Sequence, residues 1–529
     1  MPSTFFGLEI SRRALQAQQI ALNTTGHNIS NASTLGYSRQ NANLQATTPW
    51  STFDNGHNIS LGTGVSVENI TRARDAFIDR QLRWETSKQQ YWAGRQDALQ
   101  KIEGIVNEPS DNSLHADMDN FLTAWGDLSK NPENMGARAV VRERALTLTD
   151  SFHNLGQQIS DLQKDQDTSV RVKIKQINDN TQQIKELNMQ IKNAEVSGDS
   201  PNDLRDKRDS LVDDLANLVS VRVIETRDPA FTDRQVNNYS IVIGSDSVSP
   251  PQVLIDNSRV NLLEEPAPAG PGGKPFATVK WAADADAALA GNPLDFGEKM
   301  GSLQASLEIR DTYLPTFGGQ FDALAQGIAT AVNALHKTGQ GLTVSSGIDF
   351  FTLPDGSSPS TASPVTAANI TLNSVIGGDL GMIATGLNTD AAGNPLTDTA
   401  VGDGSVAIAI SSLSGGWSAL QTQIQAGMFD PTGGGASTNP VPASSFGDYY
   451  GANVAQMGVD VQQATRMKDG QDVLVTQISN QQQSFSGVSL DEEMTNLVKF
   501  QKSYAAAARM VTMMDDMLDT IVNRMGTTR

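Results

Sequence analysis

Residues 23–39, NTTGHNISNASTLGYSR, place a histidine among asparagines, serines and two glycines. An imidazole beside hydroxyls and amides is a starting point for acid–base or metal chemistry. It needs a partner, and the sequence supplies none. The histidines are His27, His57, His115, His153 and His336, and none begins the His-Glu-x-x-His spacing that puts two imidazoles on one helical face. The chain contains no cysteine, which removes thiolate zinc sites, thiol nucleophiles and disulfides. GPGGKP at 270–275 ends like a phosphate loop, but Pro268 stands where the first glycine belongs and Pro275 where Ser or Thr is required. No Gly-x-Ser-x-Gly elbow and no calcium-loop spacing of aspartates is present. The expectation is a protein that is not an enzyme, with no catalytic residue, metal or cofactor.

Composition narrows the remaining classes. The 529 residues exceed what one ordinary core organises, so two or three domains are expected. A net charge of −20 opposes binding to nucleic acid, which needs a basic face, and to anionic membranes. No run reaches the length of a membrane-spanning helix, and the first thirty residues lack the basic and apolar regions of a cleaved secretory signal. The expected location is cytoplasmic, or outside the cell by a route that reads another signal.

The elements around the histidine motif are helical. From Thr4 to about Asn23, Leu8, Leu15 and Leu22 recur every seven residues, a narrow seam that is marginal without a partner. The other end of the chain offers one. Leu490, Leu497, Tyr504, Val511, Leu518 and Met525 keep the same interval, Phe500, Met514 and Ile521 widen the stripe, and Ser489 with three acidic residues forms its capped start. Helical spacing also fills 77–106, 115–130, 136–198 and 202–219, the charges of the last reading as solvated i,i+4 partners. Strand alternation occurs at 219–226, 238–245 and 277–283, and helical periodicity returns at about 300–337. A second β and loop region is expected from about 338 to 415, a loop at 427–445, and a helix from Phe446 to Ser484.

This order predicts an α+β, multidomain fold, in which a terminal coiled coil and a long helical rod carry β-rich insertions. The expected division is 1–48 with 490–529 for the terminal helices. The helical rod takes 49–235, 300–342 and 445–489, and the β-rich outer parts 236–299 and 343–444.

Four motifs in this order resemble a known family. GHNISNASTLGYSRQ at 26–40 is similar to the N-terminal signature of flagellar rod, hook and hook-associated proteins. NDLRDKRDSLVDDLANLVSV at 202–221, VNALHKTGQGL at 332–342 with Phe350 and Phe351 after it, and SNQQQSFSGVSLDEEMTNLVKFQKSYAAAARM at 479–510 resemble its hook-associated branch. The resemblance implies a structural subunit of the bacterial flagellum, exported through the flagellar type III channel and needed for filament assembly. It implies self-association in a ring joining the hook, built of the hook protein FlgE, to the next hook-associated protein, FlgL. It also implies an export chaperone, FlgN, at the C-terminal region. Another axial subunit, of hook or filament, is the alternative, and an adhesin role of the β-rich parts a secondary one.

On this reading Leu8, Leu15, Leu22, Leu490, Leu497, Tyr504, Val511, Leu518 and Ile521 form the subunit interface. The terminal helices fray or stay disordered until assembly buries them. The motif residues Gly26, His27, Asn28, Asn31, Gly36, Tyr37, Ser38 and Arg39 form a hinge and subunit contact. Gly26 ends the helix, the Asn and Ser side chains satisfy the freed backbone groups, and Gly36 and Tyr37 turn and anchor the chain.

Overall fold

The computed structural model describes residues 5–54, 57–110, 113–232, 235–244, 251–266, 276–342, 347–360, 362–387, 401–414 and 445–520. Its long axis is set by α4 (Met135–Ser197), whose 63 residues span about 95 Å at 1.5 Å per residue. Asn134 caps its start by accepting from the amides of Gly136 and Ala137, and Gly198, at φ 92°, ends it in the left-handed region. Between these caps the apolar residues change partners halfway along. Val141, Leu148, Phe152, Leu155 and Ile159 belong to one core, and Val170, Ile174, Ile177 and Ile184 to a second.

The first core is a helical bundle. It joins α2 (Ala76–Val106), α3 (Leu114–Lys130), α7 (Leu314–His336) and α10 (Phe446–Ser486) to the first half of α4. Asp75, Ser113 and Ser445 cap three of these helices. Helix α10 runs antiparallel to α2: Gln482 donates to Asp79 (2.6 Å), Gln89 to Asp472 (2.7 Å) and Gln96 to Thr465 (2.9 Å). Trp125, Phe121, Phe350, Phe351 and Phe321 fill the centre.

The second core lies between α4, α5 (Asn202–Leu218) and an antiparallel sheet. That sheet takes the order β5 (Val221–Arg227), β6 (Asn237–Ile243), β7 (Val253–Asp256), β8 (Arg259–Val260). Ile241, Ile243, Leu254, Ile255 and Trp281 are buried in this core. Helix α6 (Ser302–Glu308) continues through one π turn into α7 and returns the chain to the bundle.

Three expectations need correction. The segment 277–283 makes single bridges rather than a strand, because Trp281 turns inward to plug the core. The second β-rich part is not a separate sheet among its described residues. It holds paired strands of two residues, the short helices α8 (Ser374–Gly378) and α9 (Ser405–Ser411), and apolar residues that enter the first core, among them Phe350, Phe351, Ile370, Ile383 and Ile410. Arg138 of α4 pins it down, donating to the carbonyls of Leu380 (3.2 Å) and Ile383 (2.6 Å) and to Thr385 (3.1 Å). The third concerns residues 40–72. They form β1 (Gln40–Ala46) paired with β4 (Val65–Arg72), and β2 (Trp50–Asp54) paired with β3 (His57–Leu61), so a boundary at residue 48 would divide a paired arm. Up to residue 444, the loop expected at 427–445 lies outside the described residues. Among the described residues no helix is long and apolar enough to cross a membrane, and no group of His, Asp or Glu side chains is placed to hold a metal.

Candidate functional site

The two terminal helices, α1 (Phe6–Ser30) and α11 (Leu490–Asp519), pack against each other within one chain. They run antiparallel, since Gly7 lies against Met514 at one end and Asn28 bonds Glu493 at the other. Ser11, Ala17, Ala21, Thr24, Thr25 and Asn28 are the buried residues of α1, and their small side chains let the two helices approach closely. Leu8, Leu15 and Leu22 are half-buried beside that line rather than at its centre. On α11, Leu497, Val511 and Leu518 are half-buried and Tyr504 is 37% exposed. Leu490 is 53% exposed, because α1 ends opposite Glu493 and leaves nothing to cover it. Ile521 lies outside the described residues.

Helix α1 does not stop at Asn23. It continues through Gly26 and His27 to Ser30, and Asn31 closes it by donating its amide to the carbonyls of His27 and Asn28. Gly26 is therefore an ordinary helical residue. The left-handed glycine is Gly36, at φ 79°, which lays the following turn against Ser210 of α5.

The motif expected to be a hinge is a fastened joint. Asn28 uses both ends of its buried amide. Its Nδ2 donates to the Gln40 carbonyl (2.9 Å) and to Glu493 Oε2 (3.1 Å), and its Oδ1 accepts from the Gln40 amide (2.9 Å) and the Tyr37 hydroxyl (2.7 Å). Glu493 is 2% exposed, and its other oxygen accepts from Arg39 Nε (2.9 Å), while Arg39 NH1 reaches Glu492 (2.8 Å). The Arg39 backbone adds two ties, its amide to the Ser486 carbonyl and its carbonyl to the Ala73 amide. Burial, then the charges of Asp203, Asp206 and Glu493, push the Tyr37 phenol well above its usual range, so it stays a donor.

A second layer binds this joint to the rod. Asp206 of α5 accepts from the Ser38 amide and hydroxyl (2.9 Å each) and from Arg72 (2.8 Å). Asp209 accepts from Arg72 and Arg74 (2.7 Å each). Burial pushes the Asp209 carboxyl up, but the guanidinium groups of Arg74, Arg72, Arg83 and Arg208 outweigh it and hold it below its ordinary value. His27 contacts Asp203 (3.3 Å) and sits edge-on to Tyr37, and Asp203 also accepts from Gln40 Nε2 (2.7 Å). Asn31 tethers itself to His27. The α5 charges read as solvated pairs are thus partly internal: Asp206 and Asp209 are buried. Their recurrence every three residues on one helical face was the available signal, and the arginines that answer them come from β4 and the turn after it, more than a hundred residues away.

The joint leaves a crevice of about 640 Å³ between the 31–37 turn and helices α4 and α5. Of its carboxylates, Asp203 and Asp206 are engaged with amide, hydroxyl and arginine donors. What the arrangement can do is fix the direction in which the paired terminal helices leave the rod.

Comparison with known proteins adds to this geometry. Residues 99–351 match the helical domain of the flagellar hook-associated protein FlgK, residues 8–37 a flagella basal body rod protein family, and residues 480–525 the C-terminal region of flagellar basal body rod FlgEFG proteins. The last two ranges contain the two sides of the joint, Asn28 with Tyr37 and Glu493. Flagellar hook-associated protein 1 of Bacillus subtilis is 28% identical over 99% of both chains, and that of Escherichia coli 29% identical over 96% of this chain and 98% of its own. The structure of the flagellar hook junction protein FlgK from Burkholderia pseudomallei superposes with a TM-score of 0.58 at 16% identity, over 77% of this chain and all of that one.

Proposed function

We propose that the chain is a member of the flagellar hook-associated protein family, which its similarity to hook-associated protein 1 over nearly its whole length supports, and that its antiparallel terminal helices are the element through which copies assemble at the junction of hook and filament. Its role there is structural. The observation that carries the reading is the Asn28–Glu493–Arg39 joint, which locks both ends of the chain together and onto the rod. An axial subunit must transmit force between neighbours, and a joint made of buried charge-assisted hydrogen bonds resists bending better than a glycine hinge.

On this reading the copies form a ring whose lower neighbour is the hook protein FlgE and whose upper neighbour is the hook-associated protein FlgL. The subunit lies outside the cell after export through the flagellar type III channel, and the chaperone FlgN holds the C-terminal region beforehand. Leu497, Val511 and Leu518 hold the pair together within a subunit, and the exposed residues of α11 meet neighbours. Immunogold labelling of intact flagella with antibody against this chain tests the position. A single band between hook and filament is expected. Label spread along the hook or the filament would instead make the chain a subunit of that structure.

A further inference from the structure

Helix α11 carries more apolar surface than α1 can cover, and the excess is divided between two places. Leu490, Met494 and Val498 form one patch in its first half, and Met510, Met513 and Met517 another in its second half, each residue 43–54% exposed. At about 100° per residue the first patch is centred about 115° to one side of the seam that faces α1, and the second about 110° to the other side. The helix is therefore apolar on three faces, one satisfied and two open, and the open ones lie on opposite flanks at opposite ends.

The geometry points to a second copy of this chain as the occupant, with the Leu490–Val498 patch of one copy seated against the Met510–Met517 patch of the next. This rests on the assembly reading above and deepens it. Each patch is continuous with the α1–α11 interface, since Met494 and Leu497 lie three residues apart, and Met510 and Met514 four, as neighbours on the helix surface. A contact between two different patches is heterologous, so every copy offers one half to each neighbour and the contact propagates around a ring or along a line. Unbranched methionine side chains suit a surface that must fit a neighbour formed by a separate folding event. The pairing also sets a stagger. Met494 and Met513 lie about 28 Å apart along the axis, so adjacent helix pairs are offset by that distance rather than level.

The absence of cysteine makes the contact directly testable. Met494→Cys and Met513→Cys are each expressed as the full chain, mixed, assembled onto hooks and oxidised with diamide. The oxidant takes two electrons and two protons from a pair of thiols to leave a disulfide. Cross-linked dimers joining position 494 to position 513 are expected in the mixture, with each variant alone remaining monomeric. Dimers from either variant alone would mean like meets like, and would overturn the proposal. So would no cross-link in junctions that immunogold shows to contain the chain, an outcome that leaves the junction reading standing. If unsubstituted chain is missing from the junction, both readings fall.

A second measurement needs no substitution. Hydrogen peroxide transfers one oxygen to a thioether, giving the sulfoxide and water, at rates that follow exposure. Met494, Met510, Met513 and Met517 should oxidise about tenfold more slowly in assembled junctions than in free protein, while the exposed Met135 and Met189 of α4 change little. Protection of one flank alone, or protection of both without the 494–513 cross-link, would assign the patches to a different partner and overturn the proposal.

Discussion

Asn28 shows why a short polar motif can govern the placement of a whole helix. Its two donor and two acceptor contacts require an amide in one orientation. Asn28→Asp, though nearly isosteric, would turn the donors toward Gln40 and Glu493 into acceptors and set a carboxylate against Glu493. Glu493→Ala would take from Asn28 Nδ2 one of its two acceptors and from Arg39 Nε its acceptor, at a largely buried place. Each substitution is expected to weaken the terminal helix pair by about 2 kcal/mol, with the partial exposure of Arg39 keeping the cost below that of a wholly buried pair. Hydrogen exchange of the α1 amides is the measurement. Exchange about thirtyfold faster is expected, while amides of the bundle keep their rates. Rates in α1 within about twofold of the unsubstituted chain would show that the joint does not hold the helix.

At the scale of elements, α4 is the part the sequence announced most clearly. Its caps at Asn134 and Gly198 and its isoleucine spacing mark a continuous helix, because local propensity and packing agree there. Helix α1 was less legible. Its Leu8, Leu15 and Leu22 repeat marked the helix but not the centre of its interface, since Ala17, Ala21 and Thr24 gain burial through closeness rather than size. The segment after α7 misled for a different reason. Its Gly, Ser and Thr content and scattered β-branched residues have the look of a β region, yet Phe350, Phe351 and Ile383 are spent filling the bundle, and only the tertiary partners reveal that.

His336 anchors this segment. Its Nε2 accepts from the Ala384 amide (2.9 Å), so Nδ1 carries the proton and donates to the Ile348 carbonyl (2.9 Å), which fixes a neutral ring. Burial pulls its pKa from 6.5 to about 4. The unfolded chain therefore takes up the proton first. The stability that neutral His336 contributes is complete above pH 6.5 and declines as pH falls, by about 3 kcal/mol at pH 4. His336→Gln can keep both hydrogen bonds and has no proton to gain. Urea unfolding of the two proteins across this range should show the gap between them narrowing by about that amount. Parallel curves would place the pH sensitivity elsewhere.

For the whole molecule, the fold brings the first and last described helices of the chain together. The described residues lead out from α1 through the β1–β4 arm, along two cores sharing α4, and back down α10 to α11. The terminal pair is then tied to α5 and β4 by Asp206, Asp209, Arg72 and Arg39, so load on the paired helices passes into the rod. Heptad spacing at both ends made this return legible. The carboxylate–arginine layer was not, because its members are distant in sequence and each looks like an ordinary surface charge. The central claim is that this end is what places the subunit between hook and filament. Electron microscopy of a strain whose only copy of the chain stops before Leu490 tests it most directly. The account predicts hooks without filaments and filament subunits released into the medium, and filaments attached to those hooks would contradict it.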